Sequence, residues 1–177
     1  IFLSGPLLLI ALITYSPEDP NFIFPDNTEI KNLLGFQGSY LSDFFFQSIG
    51  YVSFLIPLTY IFTGINIFRK KELFLLIENS FFIILYSLIG SLFFSFYYKN
   101  TFTLYINGNG GFIGNYFNTP YLNNIINLYE NIFYYFFILL IIVLFFFIIN
   151  FKIQNLIISI NKIYHFFSKK KYKKLYK

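Results

Sequence analysis

The sequence predicts an all-α integral membrane protein, a four-helix (4-TM) domain, and three observations support this prediction. Hydrophobic residues make up 56% of the 177 residues, whereas charged residues make up only 12%, about half the share in a typical soluble domain. The mean hydropathy is +0.62. Uncharged apolar runs long enough to cross a bilayer recur along the chain. Because the chain lacks the polar side chains that would cover a water-facing surface, we expect lipid to cover it.

Two apolar runs that flank a short basic turn define the centre of the predicted domain. No charged residue lies within 44–68 or within 80–97. At about 1.5 Å of rise per residue, some twenty helical residues cross the roughly 30 Å hydrocarbon layer. The turn between the runs contains Arg69, Lys70 and Lys71. Because Lys and Arg in short loops are retained in the cytoplasm, these residues predict that the turn lies inside.

Two further apolar runs complete the four spans. The run at the start of the chain is short for a span, and we expect it to be the outer part of a first helix whose basic flank is missing. Ile1 stands inside that run and the chain contains no Met, so we expect the sequence to be a piece of a longer protein. The four spans are predicted at about 1–15, 41–68, 73–98 and 131–151.

A basic segment follows the last span. Apolar residues recur at helical spacing from Ile153 to Phe167, which predicts an amphipathic helix. Six lysines follow. Anionic lipid attracts each lysine by roughly 1 kcal/mol, so binding to the membrane surface explains the cluster without a nucleic-acid partner. The six are Lys169, Lys170, Lys171, Lys173, Lys174 and Lys177. The chain thus divides into a transmembrane domain at 1–151 and an amphipathic basic juxtamembrane segment at 152–177.

The positive charges lie almost entirely on one predicted side of the membrane. Eleven of the thirteen Lys and Arg residues fall in the basic turn or beyond residue 151. Lys31 and Lys99 alone fall in the two connecting loops. With four spans, this distribution predicts that both termini are cytoplasmic and that both loops face the exterior. Arg69 to Lys71 and Lys169 to Lys171 are the residues expected to set this topology.

Small residues predict where neighbouring helices pack. The second span carries small residues and a proline at intervals of seven, and the third span carries a small, hydroxyl-bearing face. We expect these two faces to meet, because small side chains let helices approach closely. A polar conduit is the alternative for the serines, although no ionisable partner accompanies them. The predicted helix-packing residues are Gly50, Pro57, Gly64, Ser87, Gly90 and Ser91.

Turn-forming residues organise the first outer loop and the start of the second span. Ser16, Pro17 and Pro20 predict a sharp turn at the membrane surface. Ser39 is predicted to cap the second span. Asp43 is then expected in the early turns of that helix, where a negative charge meets the positive end of the helix dipole. A functional contact on the outer face is the alternative for Asp43.

Glycines organise the second outer loop. Gly110, Gly111 and Gly114 predict a tight turn into a short helix, after which Thr119 is expected to cap a helix that begins at Pro120. A nucleotide-binding interpretation fails. The dinucleotide pattern needs a glycine at position 113, where this chain has isoleucine. The Gly-Lys-Ser/Thr sequence of a phosphate loop is also absent.

The chain offers few groups for chemistry. It contains no Cys and one His, and its carboxylates are scattered, so we predict no catalytic group, no cofactor and no metal site. Glu78, the charged residue deepest in an apolar run, is expected near the inner interface. The two remaining functional classes are a membrane anchor and a freestanding small four-span transporter or channel, and the second usually requires ionisable groups near the midplane.

Four short motifs resemble those of a known family. Their order and spacing are similar to the N-terminal four-helix membrane domain of the FtsK/SpoIIIE DNA translocases, and they cover both loops. The motifs are Tyr15-Ser16-Pro17-Glu18-Asp19-Pro20, Asn32-Leu33-Leu34-Gly35, Gly38-Ser39-Tyr40-Leu41-Ser42-Asp43 and Gly110-Gly111-Phe112-Ile113-Gly114.

The resemblance implies a multi-pass protein of the bacterial inner membrane at the division septum, which links cell division to chromosome segregation. In that family a linker, a hexameric ATP-driven motor and a DNA-reading domain follow, and no ATPase residue of that motor is found here. The resemblance therefore implies an anchor and assembly domain that contacts lipid, other division proteins and further copies of itself. DNA and ATP would bind only to the motor.

Overall fold

The computed structural model describes residues 3–20, 29–99 and 106–149, and these ranges contain helices and turns but no strand. The prediction of an all-α fold is confirmed. Three stretches are long and apolar enough to cross a membrane, namely Gly35–Lys70, Leu75–Tyr97 and Glu130–Ile149. The helices are α1 (Ser4–Ile13), α2 (Gly35–Ile49), a 3₁₀ helix (Gly50–Phe54), α3 (Leu55–Lys70), α4 (Leu75–Tyr97), α5 (Gly111–Phe117), α6 (Pro120–Leu128) and α7 (Glu130–Ile149).

The stretch predicted as one span at 41–68 is divided into α2, the 3₁₀ helix and α3. Gly50 ends α2 with φ 69° and ψ −148°, a conformation that essentially only glycine adopts. Pro57 then falls in the first turn of α3, where its missing N–H removes no helical hydrogen bond. The predicted span at 41–68 therefore consists of more than one helical segment within the membrane-length stretch Gly35–Lys70.

The start of α2 also differs from the expectation. The helix begins at Gly35, so Ser39 lies inside it and does not cap it. Ser39 instead donates a hydrogen bond to the Pro20 carbonyl at 2.7 Å. Asp43 is consequently the ninth residue of α2 rather than part of an early turn. Its buried carboxylate accepts a hydrogen bond from the Tyr15 hydroxyl at 3.1 Å, so the helix dipole does not explain its place.

The basic turn follows α3 directly. Lys71 adopts a left-handed conformation, with φ 58°, and its N–H donates to the Ile67 carbonyl at 2.7 Å. Arg69 and Lys70 lie in the last turn of α3, where cations meet the negative end of the helix dipole. All three basic side chains are exposed. We call this end of the bundle the turn end. The opposite end, where α1 and α4 end and α3 and α7 begin, is called the loop end.

The helices pack in a consecutive bundle. Helix α1 lies against α3 and α2, α3 lies against α4, and α4 lies against α7. Helix α5 lies between α2 and α4 at the loop end. The core contains Leu8, Leu12, Phe46, Ile49, Val52, Ile56, Tyr86 and Ile148.

Each of the other predicted spans coincides with one described helix. Helices α1, α4 and α7 fall at the predicted spans 1–15, 73–98 and 131–151, and α1, with ten residues, is shorter than the three stretches that could cross a membrane. The predicted amphipathic helix within 152–177 and the cluster of Lys169, Lys170 and Lys171 lie outside the described residues.

Candidate interaction site at the loop end

The first loop is closed by a buried carboxylate. Ser16, Pro17 and Pro20 form a turn in which the Asp19 N–H donates to the Ser16 carbonyl at 3.2 Å. The side chain of Asp19 is only 1% exposed. Its Oδ1 accepts from the Lys31 N–H at 2.9 Å, and its Oδ2 accepts from the Asn32 N–H at 2.8 Å. Charge-assisted hydrogen bonds of this kind hold the two ends of the loop together.

Asn32 extends this closure to the neighbouring helices. Its amide nitrogen donates to the Ala11 carbonyl of α1 at 2.9 Å, and its oxygen accepts from the Leu34 N–H at 3.1 Å. A Cβ added at Gly38 of α2 would overlap the Asn32 side chain. Asn32 therefore fixes the start of α2 against the end of α1.

An exposed ion pair lies beside this closure. The Lys31 ammonium donates to the Glu18 carboxylate. This contact holds the pKa of the Glu18 carboxyl below its ordinary value and raises that of Lys31. Both side chains are well exposed, so water screens the pair and its contribution to stability is small.

The glycines of the second loop permit a close approach of three backbone segments. A Cβ added at Gly111, whose φ is 65°, would lie 2.6 Å from the Gly50 and Ile49 nitrogens. At Gly50 it would overlap the Asn109 carbonyl, to which the Tyr51 N–H donates at 3.0 Å. The loop thus packs against the break between α2 and α3 at backbone distance.

The same loop packs against α4. A Cβ added at Gly110 would lie 2.5 Å from the Ser91 carbonyl, and one at Gly114 would overlap the same oxygen. The Ser91 hydroxyl donates to the Ile49 carbonyl at 2.9 Å, which joins α4 to the end of α2. Nearby, the Asn118 amide donates to the Ser95 hydroxyl at 3.0 Å.

The predicted packing residues occupy different contacts. Gly90 of α4 lies against Val52 of the 3₁₀ helix, and a Cβ there would overlap the valine side chain. Gly50 lies against the Asn109 carbonyl of the second loop, and the Pro57 carbonyl lies against Gly5 of α1. Gly64 and Ser87 are buried in α3 and α4.

Four polar side chains that were not among the predicted packing residues join α3 to α4. The Asn79 amide donates to the Thr63 hydroxyl at 2.7 Å, and the hydroxyls of Thr59 and Tyr86 lie 3.0 Å apart. All four side chains are buried. A sequence signal existed, since Asn and Thr are expensive in lipid unless a neighbouring helix supplies a partner.

A groove opens between α2 and the second loop. Its volume is about 530 Å³, and its walls are Asp43, Phe44, Gln47, Ser48, Asn107, Phe112 and Ile113. The Asn107 amide donates to the Gln47 carbonyl at 3.2 Å, which joins the two walls. The groove therefore combines one buried carboxylate, two amides and exposed aromatic rings.

Aromatic side chains of α4 and α7 contact one another at the loop end. The hydroxyls of Tyr98 and Tyr134 lie 2.8 Å apart, and the Tyr97 hydroxyl donates to the Glu130 carbonyl at 3.0 Å. Phe93 packs against all three tyrosine rings. These contacts join the ends of α4 and α7 at the depth where tyrosines favour the interface.

In the described ranges, no three His, Asp or Glu side chains come together as a metal site. Glu78 is exposed in the first turn of α4, seven residues after Lys71.

The family described as the 4TM region of DNA translocase FtsK/SpoIIIE matches residues 1–161. The chain belongs to this family. The match is to the membrane region of these FtsK/SpoIIIE translocases and not to their motor, and the protein is accordingly a multi-pass membrane domain.

Curated relatives agree with the family assignment. The chain is 34% identical over 91 residues to the DNA translocase FtsK of Rickettsia typhi, which covers 51% of this chain and 12% of the relative. It is 36% identical over 93 residues to that of Rickettsia prowazekii, again with 51% and 12% covered. The FtsK of Pseudomonas putida is 33% identical over 66 residues, which covers 37% of this chain and 8% of the relative. The aligned region is thus a small part of each relative, and no solved structure matches.

Proposed function

We propose that this chain is the membrane anchor and assembly domain of a bacterial DNA translocase. It holds the ATP-driven motor at the division septum of the inner membrane and thereby links cell division to chromosome segregation. The observation that carries this proposal is the family match across 1–161. The names of the relatives describe DNA translocases of which the aligned part is about an eighth or less.

The anchoring role follows from the physics of tethering. A motor confined to the membrane meets further copies at a raised effective concentration, so modest contacts between membrane domains suffice for ring assembly. Homo-oligomers, hexameric through the motor, and other division proteins are the proposed partners. DNA binds to the motor and not to this segment.

The loop end supplies the proposed contact surface for other division proteins. Asp19 and the glycine cluster fix the backbone of both loops against the bundle. This support leaves aromatic side chains such as Phe36, Tyr116 and Tyr121 exposed. A surface held in place before binding loses little conformational freedom when a partner docks.

The orientation of the domain is part of the proposal. The exposed cluster of Arg69, Lys70 and Lys71 favours a cytoplasmic turn end, so that both termini are cytoplasmic and the loop end faces the periplasm. The chain contains no Cys, so single cysteines can report on each side. In intact cells, a membrane-impermeant maleimide is expected to label Lys31→Cys and to spare Lys71→Cys. The reverse pattern would contradict the proposed orientation.

The anchoring function is tested by where a fluorescent fusion of residues 1–177 accumulates in dividing cells. We expect enrichment at the septum for the native sequence and for Gly108→Ala, which leaves the packing of the loop intact because its Cβ would meet nothing within 4 Å. Gly111→Ala displaces the loop and is expected to spread the signal around the membrane. Uniform fluorescence of the native fusion would contradict the proposal.

The motor supplies a second test. Deletion of the four spans from the full-length protein is expected to leave ATP hydrolysis intact while the motor diffuses in the cytoplasm. Continued localisation at the septum would show that another part of the protein supplies the anchor.

A further inference from the structure

The groove at the loop end contains a buried carboxylate with spare hydrogen-bonding capacity. Asp43 is 3% exposed. Its Oδ1 accepts from the Tyr15 hydroxyl at 3.1 Å and from the Gln47 amide at 3.4 Å. Both hydrogen bonds found for this carboxylate in the described ranges go to the same oxygen. No Lys or Arg there lies within 4.0 Å of it.

A carboxylate in this position favours a cationic ligand with N–H groups. An ionised group that has lost most of its water is costly unless charge and hydrogen bonds replace the water. A primary ammonium supplies both, through a charge-assisted N–H donor. A quaternary ammonium supplies charge alone, because it has no N–H.

The remaining walls indicate where such an ammonium comes from. Phe44 and Phe112 are 55% and 59% exposed and form apolar sides to the groove. Ser48 and Asn107 add hydroxyl and amide donors that suit phosphate oxygens. A phospholipid presents all three chemistries in one molecule, since its acyl chains adjoin a phosphate that carries the ammonium.

The depth of the groove agrees with this ligand. Ser91, which binds the Ile49 carbonyl, lies six residues before the end of α4 at Tyr97. At about 1.5 Å per residue, Ile49 therefore lies roughly 9 Å inside the end of that helix. Gln47 and Ser48 immediately precede it. Because tyrosines concentrate at the membrane interface, the Tyr97 end of α4 marks its level, and the groove lies within about 9 Å of that level.

We propose that the groove between α2 and the second loop binds a phospholipid with a primary ammonium headgroup, of the phosphatidylethanolamine type, through the Asp43 carboxylate. The ammonium binds Asp43, the phosphate lies beside Ser48 and Asn107, and the acyl chains lie along Phe44 and Phe112. The proposal depends on the membrane location of the domain and not on its role at the septum.

The test compares headgroups on the purified chain in a non-ionic detergent. Didecanoyl phosphatidylethanolamine and didecanoyl phosphatidylcholine are titrated separately, and the rise in melting temperature gives an apparent affinity for each. We expect the ethanolamine lipid to bind about tenfold more tightly, the difference that one charge-assisted hydrogen bond produces. Equal affinities for the two lipids would overturn the proposal without any variant.

Variants test whether the preference for the ethanolamine headgroup arises in the groove. Asp43→Asn is expected to reduce the affinity ratio of the two lipids to about one, whereas Glu18→Gln, an exposed carboxylate at the same end, is expected to keep it. Phe112→Ser changes the apolar wall and leaves the buried carboxylate in place. It is expected to lower the affinity for both lipids while preserving the ratio of the two affinities. An unchanged ratio in Asp43→Asn would overturn the proposal.

A soluble amine distinguishes lipid from a free ligand. Ethanolamine at the same concentration lacks the acyl chains and is expected to leave the melting temperature unchanged. Stabilisation by ethanolamine equal to that by the lipid would assign the groove to a soluble amine and would overturn the lipid assignment.

Discussion

Helices α5 and α7 both pack against α4, yet they do so in opposite ways. Helix α5 has seven residues, and two of them are buried glycines. A Cβ added at Gly110, the residue before it, would lie only 2.5 Å from the Ser91 carbonyl oxygen of α4. Helix α7 has twenty residues, almost all apolar, and Ile148 is its one buried side chain within the described ranges. The less hydrophobic helix is the more tightly packed.

This contrast follows from the solvent. In water, apolar side chains are driven to the interior, but lipid tails are as apolar as leucine, so a greasy helix gains little by leaving them. Close packing then depends on small residues and on polar groups that need partners. The loop end has both, in its glycines and its buried Asp, Asn and Ser side chains. Beyond Tyr135, helix α7 has neither small nor polar side chains, and most of its surface faces lipid.

The largest effect is expected where the close approach of α5 is blocked. Gly111→Ala adds a Cβ 2.6 Å from two backbone nitrogens and also places alanine at φ 65°. The backbone conformation costs about 1–2 kcal/mol, and overpacking costs typically 1–3 kcal/mol more. We therefore expect a loss of about 3 kcal/mol in the free energy of unfolding, measured by titration with SDS in mixed micelles.

Gly108 provides the matched control for that substitution. Its φ is 68°, but a Cβ there meets nothing within 4 Å, so Gly108→Ala carries only the backbone cost. A difference of about 2 kcal/mol between the two variants isolates the steric term. Equal losses would show that the loop does not press against α2 at this point.

The next effect concerns the closure of the first loop. Asp19→Ala leaves the Lys31 and Asn32 N–H groups without the carboxylate that accepts from both. Buried donors left unsatisfied cost about 1–3 kcal/mol, and we expect a loss of about 2 kcal/mol together with faster proteolysis of the loop in proteoliposomes. Glu18→Ala, one residue away and exposed, is expected to change neither. Equal protease sensitivity of native protein and Asp19→Ala would contradict the assigned closure.

The sequence alone could predict the features that depend on the composition of a single segment. The apolar runs of α4 and α7 and the basic turn follow from residue type alone. The predicted cap at Thr119 and start at Pro120 are confirmed, since the Thr119 hydroxyl accepts from the Leu122 N–H at 3.5 Å. That helix ends at Leu128, and α7 begins separately at Glu130.

The contacts that shape the loop end could not be predicted in the same way. Gly50 reads as a packing glycine within an apolar run, and its helix-ending conformation depends on a loop about sixty residues further along. Asp19 similarly binds Lys31 and Asn32 across the loop. Neither partner can be identified from periodicity, because these contacts are set by the tertiary fold. The family motifs marked the right segments without stating what they contact.

A smaller effect is expected for the polar pair between α3 and α4. Hydrogen bonds between membrane helices contribute about 0.6 kcal/mol on average and at most about 1.7. A double-mutant cycle with Thr63→Ala and Asn79→Ala is expected to give a coupling energy of about 1 kcal/mol, because the two side chains lie 2.7 Å apart. The control is Ser80→Ala, whose hydroxyl bonds only within its own helix. Coupling between Thr63 and Ser80 would indicate a rearranged interface.

A still smaller effect is expected on the lipid-facing side of α7. Leu139 is 61% exposed, and its side chain contacts lipid in both the folded state and the separated helices. Leu139→Ala is therefore expected to change the free energy of unfolding by less than about 0.5 kcal/mol. Leu12, which is 2% exposed in the core, is the matched comparison, and its replacement by alanine is expected to cost about 2 kcal/mol, the low end for a buried leucine, because lipid also solvates apolar side chains. A large loss at Leu139 would show that α7 packs against another protein surface there.

The smallest effect concerns the exposed ion pair of the first loop. The Lys31 ammonium holds the pKa of the Glu18 carboxyl below its ordinary value. Because the folded-state pKa is the lower one, the pair stabilises the folded loop fully above the unfolded-state pKa of about 4.3 and loses this contribution as the pH falls through the folded-state pKa. In a carbon-13 NMR titration, Glu18 is expected to titrate below that value, and Lys31→Met is expected to return it to the ordinary range. Added salt should act in the same direction as Lys31→Met, since both side chains are open to water. A Glu18 pKa that Lys31→Met leaves unchanged would show that the ion pair does not persist in solution. The hydrogen bonds of the buried Asp19 carboxylate are expected to withstand both Lys31→Met and added salt.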